Sequence, residues 1–253
     1  MFKIGIIGSG NMGQALIQGW LGKDYDLAVF SPRHGIEIAN KFQIQSMNLS
    51  DLAHWSNILV LAFLPQQLSL ISSEIESIVN PDQTIISVLG DVTLKQLKNA
   101  FKNNNNIIRT LPNTNIAVNE GEIAYIACET IDEQKLTDAK RLLSDLGLTL
   151  LLSEDQFPAF SAVAGSAPAI VAKFAESLVL AAVKNGLSRN DSVKIINQLI
   201  LGTIKNSKEN QISFNDLIYQ ICTPGGSTIR GIKSLEKNRF TGDVMDSIDE
   251  IIQ

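Results

Sequence analysis

The stretch Lys3-Ile-Gly-Ile-Ile-Gly-Ser-Gly-Asn-Met-Gly13 decides the fold of this chain. Its apolar run Ile4–Ile7 predicts a buried parallel strand, and apolar residues at helical spacing follow over Ala15–Trp20. A strand, a glycine turn and a helix in this order predict a dinucleotide-binding motif, in which backbone N–H groups and the helix N-terminus face a pyrophosphate. We therefore predict that the turn binds the cofactor through Gly8, Ser9, Gly10, Asn11, Met12 and Gly13.

The end of the second predicted strand, Asp26–Phe30, indicates which dinucleotide is bound. An NAD enzyme usually presents Asp or Glu at this point to the ribose 2′-hydroxyl. Here a hydroxyl, Ser31, and a cation, Arg33, follow the strand instead, and both suit a 2′-phosphate. We predict that Ser31 and Arg33 bind NADP(H) as the preferred cofactor, with NAD(H) as a possible second one. The alternative is that Arg33 only begins an exposed helix.

Further apolar runs alternate with helical patterns along the first half of the chain. The predicted strands are Ile58–Phe63, Thr84–Val88, Ile107–Leu111 and Leu148–Leu152. Such alternation predicts an α/β fold with a parallel, Rossmann-type doubly wound sheet. Ligands of these sheets bind outside the carboxyl ends of the strands. We therefore add the residues at those ends to the cofactor site: Ala62, Phe63, Leu64, Pro65, Gly90 and Asn113.

From Phe157 onward the pattern is helical only, so we predict a Rossmann domain over 1–153 and an all-helical domain over 154–253. The run Ile170–Val183 has little polar face, and we expect it to be buried on most sides. A small helical domain with such a helix often completes its core with a second subunit. An ordinary bundle within one chain remains the alternative.

Composition limits the function classes. The net charge is −5, and nucleic-acid-binding domains usually carry an excess of positive charge, so we do not expect nucleic acid as a partner. The two cysteines, Cys128 and Cys222, lie far apart, which fits a reducing cytoplasm and argues against a metal site. We find no apolar run approaching the roughly 18 residues of a spanning helix, and we expect a cytoplasmic protein that binds no membrane.

The loop Thr223-Pro-Gly-Gly-Ser-Thr228 immediately precedes a predicted helix. Two glycines and two hydroxyl residues at a helix N-terminus form a nest of N–H groups that suits a carboxylate. A capping loop without any ligand explains the same residues, so the local pattern leaves both interpretations open.

Several motifs together resemble those of the pyrroline-5-carboxylate reductase family, along nearly the whole chain. They are Gly8-Ser-Gly-Asn-Met-Gly13, Leu61-Ala-Phe-Leu-Pro65, Arg109-Thr-Leu-Pro-Asn-Thr114, Ala164-Gly-Ser-Ala-Pro-Ala169 and, most specific, Thr223-Pro-Gly-Gly-Ser-Thr-Ile-Arg-Gly231 with Leu235-Glu236. The resemblance implies NADPH-dependent reduction of the cyclic imine 1-pyrroline-5-carboxylate to L-proline, an oxidoreductase step of proline biosynthesis. It also implies a homodimer or a ring of dimers with interlocked C-terminal helices.

The resemblance assigns roles in the second half of the chain. The substrate would contact Thr223, Gly225, Gly226, Ser227 and Thr228, and the Thr228 hydroxyl would contact the ring nitrogen as the catalytic residue. Reduction of a carbonyl creates an alkoxide and needs a positioned acid, whereas a cyclic imine can arrive already protonated. The histidines are His34 and His54, and neither is expected to be a catalytic acid.

Four positions depart from the family pattern: Leu64, Asp91, Asn115 and Ala167. They support one alternative, a divergent, catalytically weak paralogue that acts as a nucleotide-binding regulator. A second alternative is a β-hydroxyacid-dehydrogenase-like oxidoreductase. That family needs a helix Lys followed four residues later by Asn, and here Lys173 is followed by Ser177, which counts against it.

Overall fold

The computed structural model describes residues 2–252. The chain divides into two compact units, Met1–Gly165 and Ser166–Gln253, and each is described by itself. The first unit extends past the predicted domain boundary at residue 153, because Glu154 and Phe157 both contact the side chain of Arg109.

The first unit contains an eight-stranded sheet in the order β3-β2-β1-β4-β5-β6-β7-β8. Its strands are β1 Phe2–Ile7, β2 Tyr25–Phe30, β3 Gln45–Ser46, β4 Ile58–Leu61, β5 Thr84–Ser87, β6 Ile107–Pro112, β7 Gly121–Ala127 and β8 Gly147–Leu151. The predicted α/β fold is confirmed, and β1 to β6 pair in parallel. The predicted parallel pairing fails only at β7, a strand that the sequence pattern did not predict, which runs antiparallel to β6. The short 3₁₀ turn Thr114–Val118 that joins them is too short for a parallel crossover.

Helices cover both faces of this sheet, which explains why the strands are apolar without alternation. Along β4, Val60 faces one core cluster and Leu59 the other, and both are fully buried. The helices of the first unit are α1 Asn11–Trp20, α2 Gly35–Phe42, α3 Leu49–Trp55, α4 Leu68–Ile75, α5 Leu94–Ala100, α6 Glu133–Ser144 and α7 Phe157–Phe160. A π-helical stretch, Ser161–Ser166, follows α7.

The second unit is helical throughout its described residues, as predicted. Its helices are α8 Ala167–Lys184, α9 Arg189–Asn210, α10 Phe214–Ile221, α11 Ser227–Lys237 and α12 Phe240–Ile252. Gly186 ends the α8 turn with a positive φ of 97°, and Ser188 caps α9 by accepting from the Asp191 N–H.

The expectation that Ile170–Val183 is buried on most sides is wrong for the single chain. Of the residues of α8 only Val179 is buried, while Val171, Phe174 and Leu180 are 53%, 41% and 52% exposed. The helices α11 and α12 bury no residue at all. Five helices without a sheet offer too little surface to cover every apolar face, so these faces are left for another surface to cover.

The helical stretch Glu154–Lys184 is long and apolar enough to cross a membrane by length and composition, with a hydropathy of 1.5 over 18 residues. This corrects the expectation that no run approaches such a length. Lys173 and Glu176 interrupt the apolar pattern, but a spanning segment tolerates a few charges. A helix that packs against another protein has the same length and composition.

Candidate active site

The glycine turn has the backbone that the sequence motif requires. Gly8 has a φ of +113°, and a Cβ at this position would overlap the backbone oxygen of Ala62. A Cβ on Gly13 would overlap the backbone oxygen of Gly8, which is the close approach between helix and strand. A Cβ on Gly10 would meet no atom within 4 Å, so this glycine borders open space. Helix α1 starts directly after it without a side-chain cap, leaving its first N–H groups available for a phosphate.

The end of β2 lies beside this turn. The Ser9 hydroxyl donates to the Ser31 hydroxyl over 2.8 Å, and the Gln14 amide donates to the Ser9 carbonyl over 3.0 Å. Arg33 is exposed, and within residues 2–252 no carboxylate pairs with it. The structure therefore brings Ser9 and Ser31 together and leaves the Arg33 guanidinium available for an anion.

Lys41 is a second cation in this region that sequence reasoning missed. Its Nζ donates to the Gln14 side-chain oxygen over 2.9 Å, and Gln14 in turn contacts Ser9. Lys41 lies on α2, ten positions after Ser31, so no local motif links it to the glycine turn. Only the packing of α2 against α1 places it there.

The remaining predicted cofactor residues follow the carboxyl ends of β4 and β5. Ile7 of β1 is in register with Leu61 of β4, and Leu61 is in register with Ser87 of β5, so these strand ends form one edge. Ala62 is buried, whereas Leu64 is 67% exposed, and Gly90 is exposed as well. The edge therefore gathers the glycine turn, Ser31, the segment 62–65 and Gly90.

Asn113 also follows a strand end, but its side chain is occupied. It is 3% exposed, and its amide donates to the Glu122 carboxylate and, over 2.9 Å, to the Ala164 carbonyl. Its side-chain oxygen accepts from the Glu122 N–H over 3.2 Å. A direct donor role toward a cofactor would require breaking one of these bonds.

Arg109, at the third position of β6, is a buried charge that sequence reasoning quoted only as part of a motif. Its guanidinium contacts the Glu154 carboxylate at 2.5 Å and donates to the Gly90 carbonyl over 2.9 Å. The guanidinium carbon lies 4.3 Å from the centre of the Phe157 ring. This cluster reaches the turn that contains Gly90, one of the predicted cofactor residues.

In the second unit, the loop 223–228 has the geometry of a nest. Gly225 has a φ of +69°, and the Gly226 N–H donates to the Thr223 carbonyl over 3.0 Å. Gly226 precedes α11 without a side-chain cap, and the described residues supply no hydrogen-bond partner for the hydroxyls of Thr223, Ser227 and Thr228. The Arg230 guanidinium donates to the Gly225 carbonyl over 2.9 Å and adds positive charge to the loop.

Comparison with known proteins covers both units. A family model described as "Pyrroline-5-carboxylate reductase dimerisation" matches residues 154–253, and one described as "NADP oxidoreductase coenzyme F420-dependent" matches residues 3–90. A pyrroline-5-carboxylate reductase of Aquifex aeolicus is 31% identical over 99% of this chain and 95% of its own length. The chain belongs to the pyrroline-5-carboxylate reductase family.

Solved structures agree with this membership over the full chain. A 1-pyrroline-5-carboxylate reductase from Streptococcus pyogenes has a TM-score of 0.84 and 30% identity, covering 99% of this chain and 96% of its own. A Plasmodium falciparum pyrroline carboxylate reductase with NADP bound has a TM-score of 0.86 and 27% identity, covering 99% and 95%. The Rossmann-type first unit of this family member is therefore an NADP-binding fold, and the helical second unit mediates self-association.

The four departures from the family pattern lie at unstrained positions. Leu64 and Asp91 are exposed, and Ala167 is the first residue of α8. Asn115 lies in the 3₁₀ turn, where its carbonyl accepts from the Glu120 N–H over 3.3 Å. None of the four disturbs the glycine turn or the loop 223–228, so this family member keeps the backbone of both.

Proposed function

We propose that this chain reduces 1-pyrroline-5-carboxylate to L-proline with NADPH. The observation that carries the proposal is the loop 223–228, an exposed nest with three hydroxyls, in a chain that also has the NADP-binding glycine turn. One element suits the substrate carboxylate and the other the cofactor phosphates. The relatives along the whole length have names that state this activity.

The residues of the first unit hold the cofactor, which supplies the hydride when bound. The uncapped N-terminus of α1 and the open side of Gly10 receive the pyrophosphate. Ser31 and Arg33 bind the 2′-phosphate, since a guanidinium and a hydroxyl are donors that suit its oxygens. Ala62 to Pro65 and Gly90 line the edge beyond the strands, and Asn113 fixes the end of β6 through its bonds to Glu122 and Ala164.

The loop of the second unit binds and orients the substrate. The N–H groups of Ser227 and Thr228 and the positive end of the α11 dipole hold the carboxylate, with Thr223, Gly225 and Gly226 shaping the loop. The Thr228 hydroxyl contacts the ring nitrogen. Because the imine arrives protonated, hydride addition neutralises a charge rather than creating an anion, and no residue has to donate a proton in this step.

We further propose the assembly and location of the protein. The domains are 1–153 for cofactor binding and 154–253 for dimerisation and substrate binding, and self-association forms either a dimer or a ring of dimers. The exposed apolar residues of α8 support a protein surface as the neighbour of this helix rather than lipid, because the family model over this region describes dimerisation. The proposed location is the cytoplasm, without membrane or nucleic acid as a partner.

A turnover assay tests the activity and its two alternatives. The purified protein should oxidise NADPH, followed at 340 nm, only when 1-pyrroline-5-carboxylate is added, and proline should form in equal amount. A regulator would bind NADPH without turnover. A β-hydroxyacid dehydrogenase would instead reduce its cofactor when 3-hydroxy acids are supplied.

A further inference from the structure

The buried guanidinium of Arg109 is not used by the reaction described above. Its side chain is only 9% exposed, and a buried charge is costly unless it is paired and hydrogen-bonded. Arg109 has three partners within the first unit, namely the Glu154 carboxylate, the Gly90 carbonyl and the face of Phe157. Because Glu154 and Phe157 fix the guanidinium, it can hold its third partner, the Gly90 carbonyl, in one position.

The Gly90 carbonyl belongs to a turn at the end of β5. The Val92 N–H donates to the Leu89 carbonyl over 3.2 Å, so Gly90–Asp91 is the central peptide of the turn. The central peptide is the one that differs in orientation between type I and type II turns. The bond from Arg109 to the Gly90 carbonyl therefore selects one orientation of this peptide.

The same bond determines where the Asp91 N–H points. In a trans peptide the N–H is directed opposite to the carbonyl, so the Asp91 N–H is turned away from Arg109. Gly90 and Asp91 are both exposed, and the described part of the chain offers no acceptor to the Asp91 N–H. This donor lies at the edge where β1, β4 and β5 end, which is where sheets of this type bind their cofactor.

Glu154 and Phe157 make the orientation stable. The same Glu154 oxygen that pairs with Arg109 also accepts from the N–H of Leu94, the first residue of α5, over 2.8 Å. The turn 89–92 is thus held on one side by Arg109 and on the other by the start of α5. The Phe157 ring covers the guanidinium and keeps water from competing for it.

We propose that Arg109 is a positioning residue for the cofactor, which orients the Gly90–Asp91 peptide so that the Asp91 N–H donates to the bound dinucleotide. This inference rests on the proposed function in one respect, which is that the bound dinucleotide is NADPH. Arg109 itself touches neither cofactor nor substrate in this proposal, and its effect passes through the turn.

The test is direct titration of NADPH by fluorescence with the full chain carrying Arg109→Met. Methionine keeps much of the side-chain volume but cannot bond the Gly90 carbonyl. We expect the Kd for NADPH to rise about ten- to a hundredfold, the range for losing a hydrogen bond from a charged donor. Arg109→Lys, which can donate to one acceptor at a time, should give an intermediate Kd. In ¹⁵N spectra, NADPH should shift the Asp91 amide resonance in the parent and much less in Arg109→Met.

The matched control is Tyr25→Phe, which removes the partly buried bond to Asp145 at the opposite end of the sheet. It should lower the Tm and leave the Kd for NADPH unchanged. If Arg109→Met also lowers only the Tm, Arg109 has a structural role and the proposal is overturned. Should Arg109→Met fail to fold, Arg109→Lys decides the question, and a Kd for NADPH equal to the parent's in that variant would overturn the proposal too.

The NADPH titration and the turnover assay can fail independently of each other. A parent protein that binds NADPH but does not reduce 1-pyrroline-5-carboxylate overturns the proposed function alone, because the Kd comparison between parent and Arg109→Met stands without turnover. A parent that reduces the imine, with an unchanged Kd in Arg109→Met, overturns the positioning role alone.

Discussion

Thr228 is the second residue of α11, and its exposed hydroxyl has no partner among the described residues. Thr228→Val keeps the shape of the side chain and removes the hydroxyl that we propose contacts the ring nitrogen. The lost transition-state stabilisation is about 1–3 kcal/mol, so we expect kcat/KM for 1-pyrroline-5-carboxylate to fall roughly ten- to a hundredfold. The Kd for NADPH should be unchanged. Thr137→Val on the exposed face of α6 is the control. Steady-state kinetics as fast as the parent's would remove Thr228 from the mechanism.

Arg33 provides the test of cofactor choice at the residue scale. Arg33 is exposed and follows Ser31 by two positions, so its guanidinium is free to bind a 2′-phosphate that NADH lacks. A lost charge-assisted hydrogen bond costs about 1.5–3 kcal/mol, so Arg33→Ala should raise KM for NADPH about tenfold or more. KM for NADH should hardly change. The control is Arg141→Ala, an exposed arginine on α6, and equal effects of Arg33→Ala on both cofactors would contradict the 2′-phosphate role.

Tyr25 is expected to make the fold sensitive to alkaline pH. Burial and, next, the hydrogen bond to Asp145 raise the pKa of its phenol well above the usual value of 10.0. The folded state therefore keeps a proton that the unfolded state releases, and stability is lost as the pH rises above about 10. Urea unfolding at pH 8 and pH 10.5 should show a smaller loss of stability in Tyr25→Phe than in the parent. Identical losses in both proteins would contradict this account.

At the element scale, substitutions in the glycine turn distinguish effects on stability from effects on cofactor affinity. Gly13→Ala places a Cβ against the Gly8 carbonyl, so it should lower both the Tm and the affinity for NADPH. Gly10→Ala meets no protein atom and should leave the Tm unchanged while still raising the Kd, because its Cβ would enter the space proposed for the pyrophosphate. Gly202→Ala in α9, also free of neighbours within 4 Å, is the control. An unchanged Kd in Gly10→Ala would place the pyrophosphate elsewhere.

At the scale of the whole molecule, the apolar surface of α8 predicts an obligate assembly. Val171 is 53% exposed in the single chain, and burying a valine contributes about 1.5–3 kcal/mol. Val171→Asp should therefore dissociate or unfold the protein, measured by light scattering and circular dichroism. Ser177→Asp adds the same charge about 120° around the helix axis, on the polar side with Lys173 and Lys184, and should have a smaller effect. A soluble, active monomer of the parent protein would contradict the prediction.

The amino-acid sequence by itself determined the elements whose requirements are local. The glycine turn could be predicted because Gly8 and Gly13 occupy positions where a Cβ would overlap the backbone. The strands β1, β4 and β5 could be predicted because a sheet covered on both faces needs continuous apolar runs. The loop 223–228 was identified for the same kind of reason, since its glycines and hydroxyls are adjacent in the chain. Its binding role stays a prediction.

The tertiary structure alone decided the contacts between distant residues. Arg109 meets Glu154 across 45 positions, and Asn113 meets Ala164 across 51, so neither pairing leaves a local pattern. The antiparallel direction of β7 likewise follows from the short turn after β6, because the period of a strand is the same in both directions. The prediction for α8 was wrong about exposure in the single chain. An apolar pattern indicates that a helix face will be buried, but it does not indicate whether the same chain or a second chain covers that face.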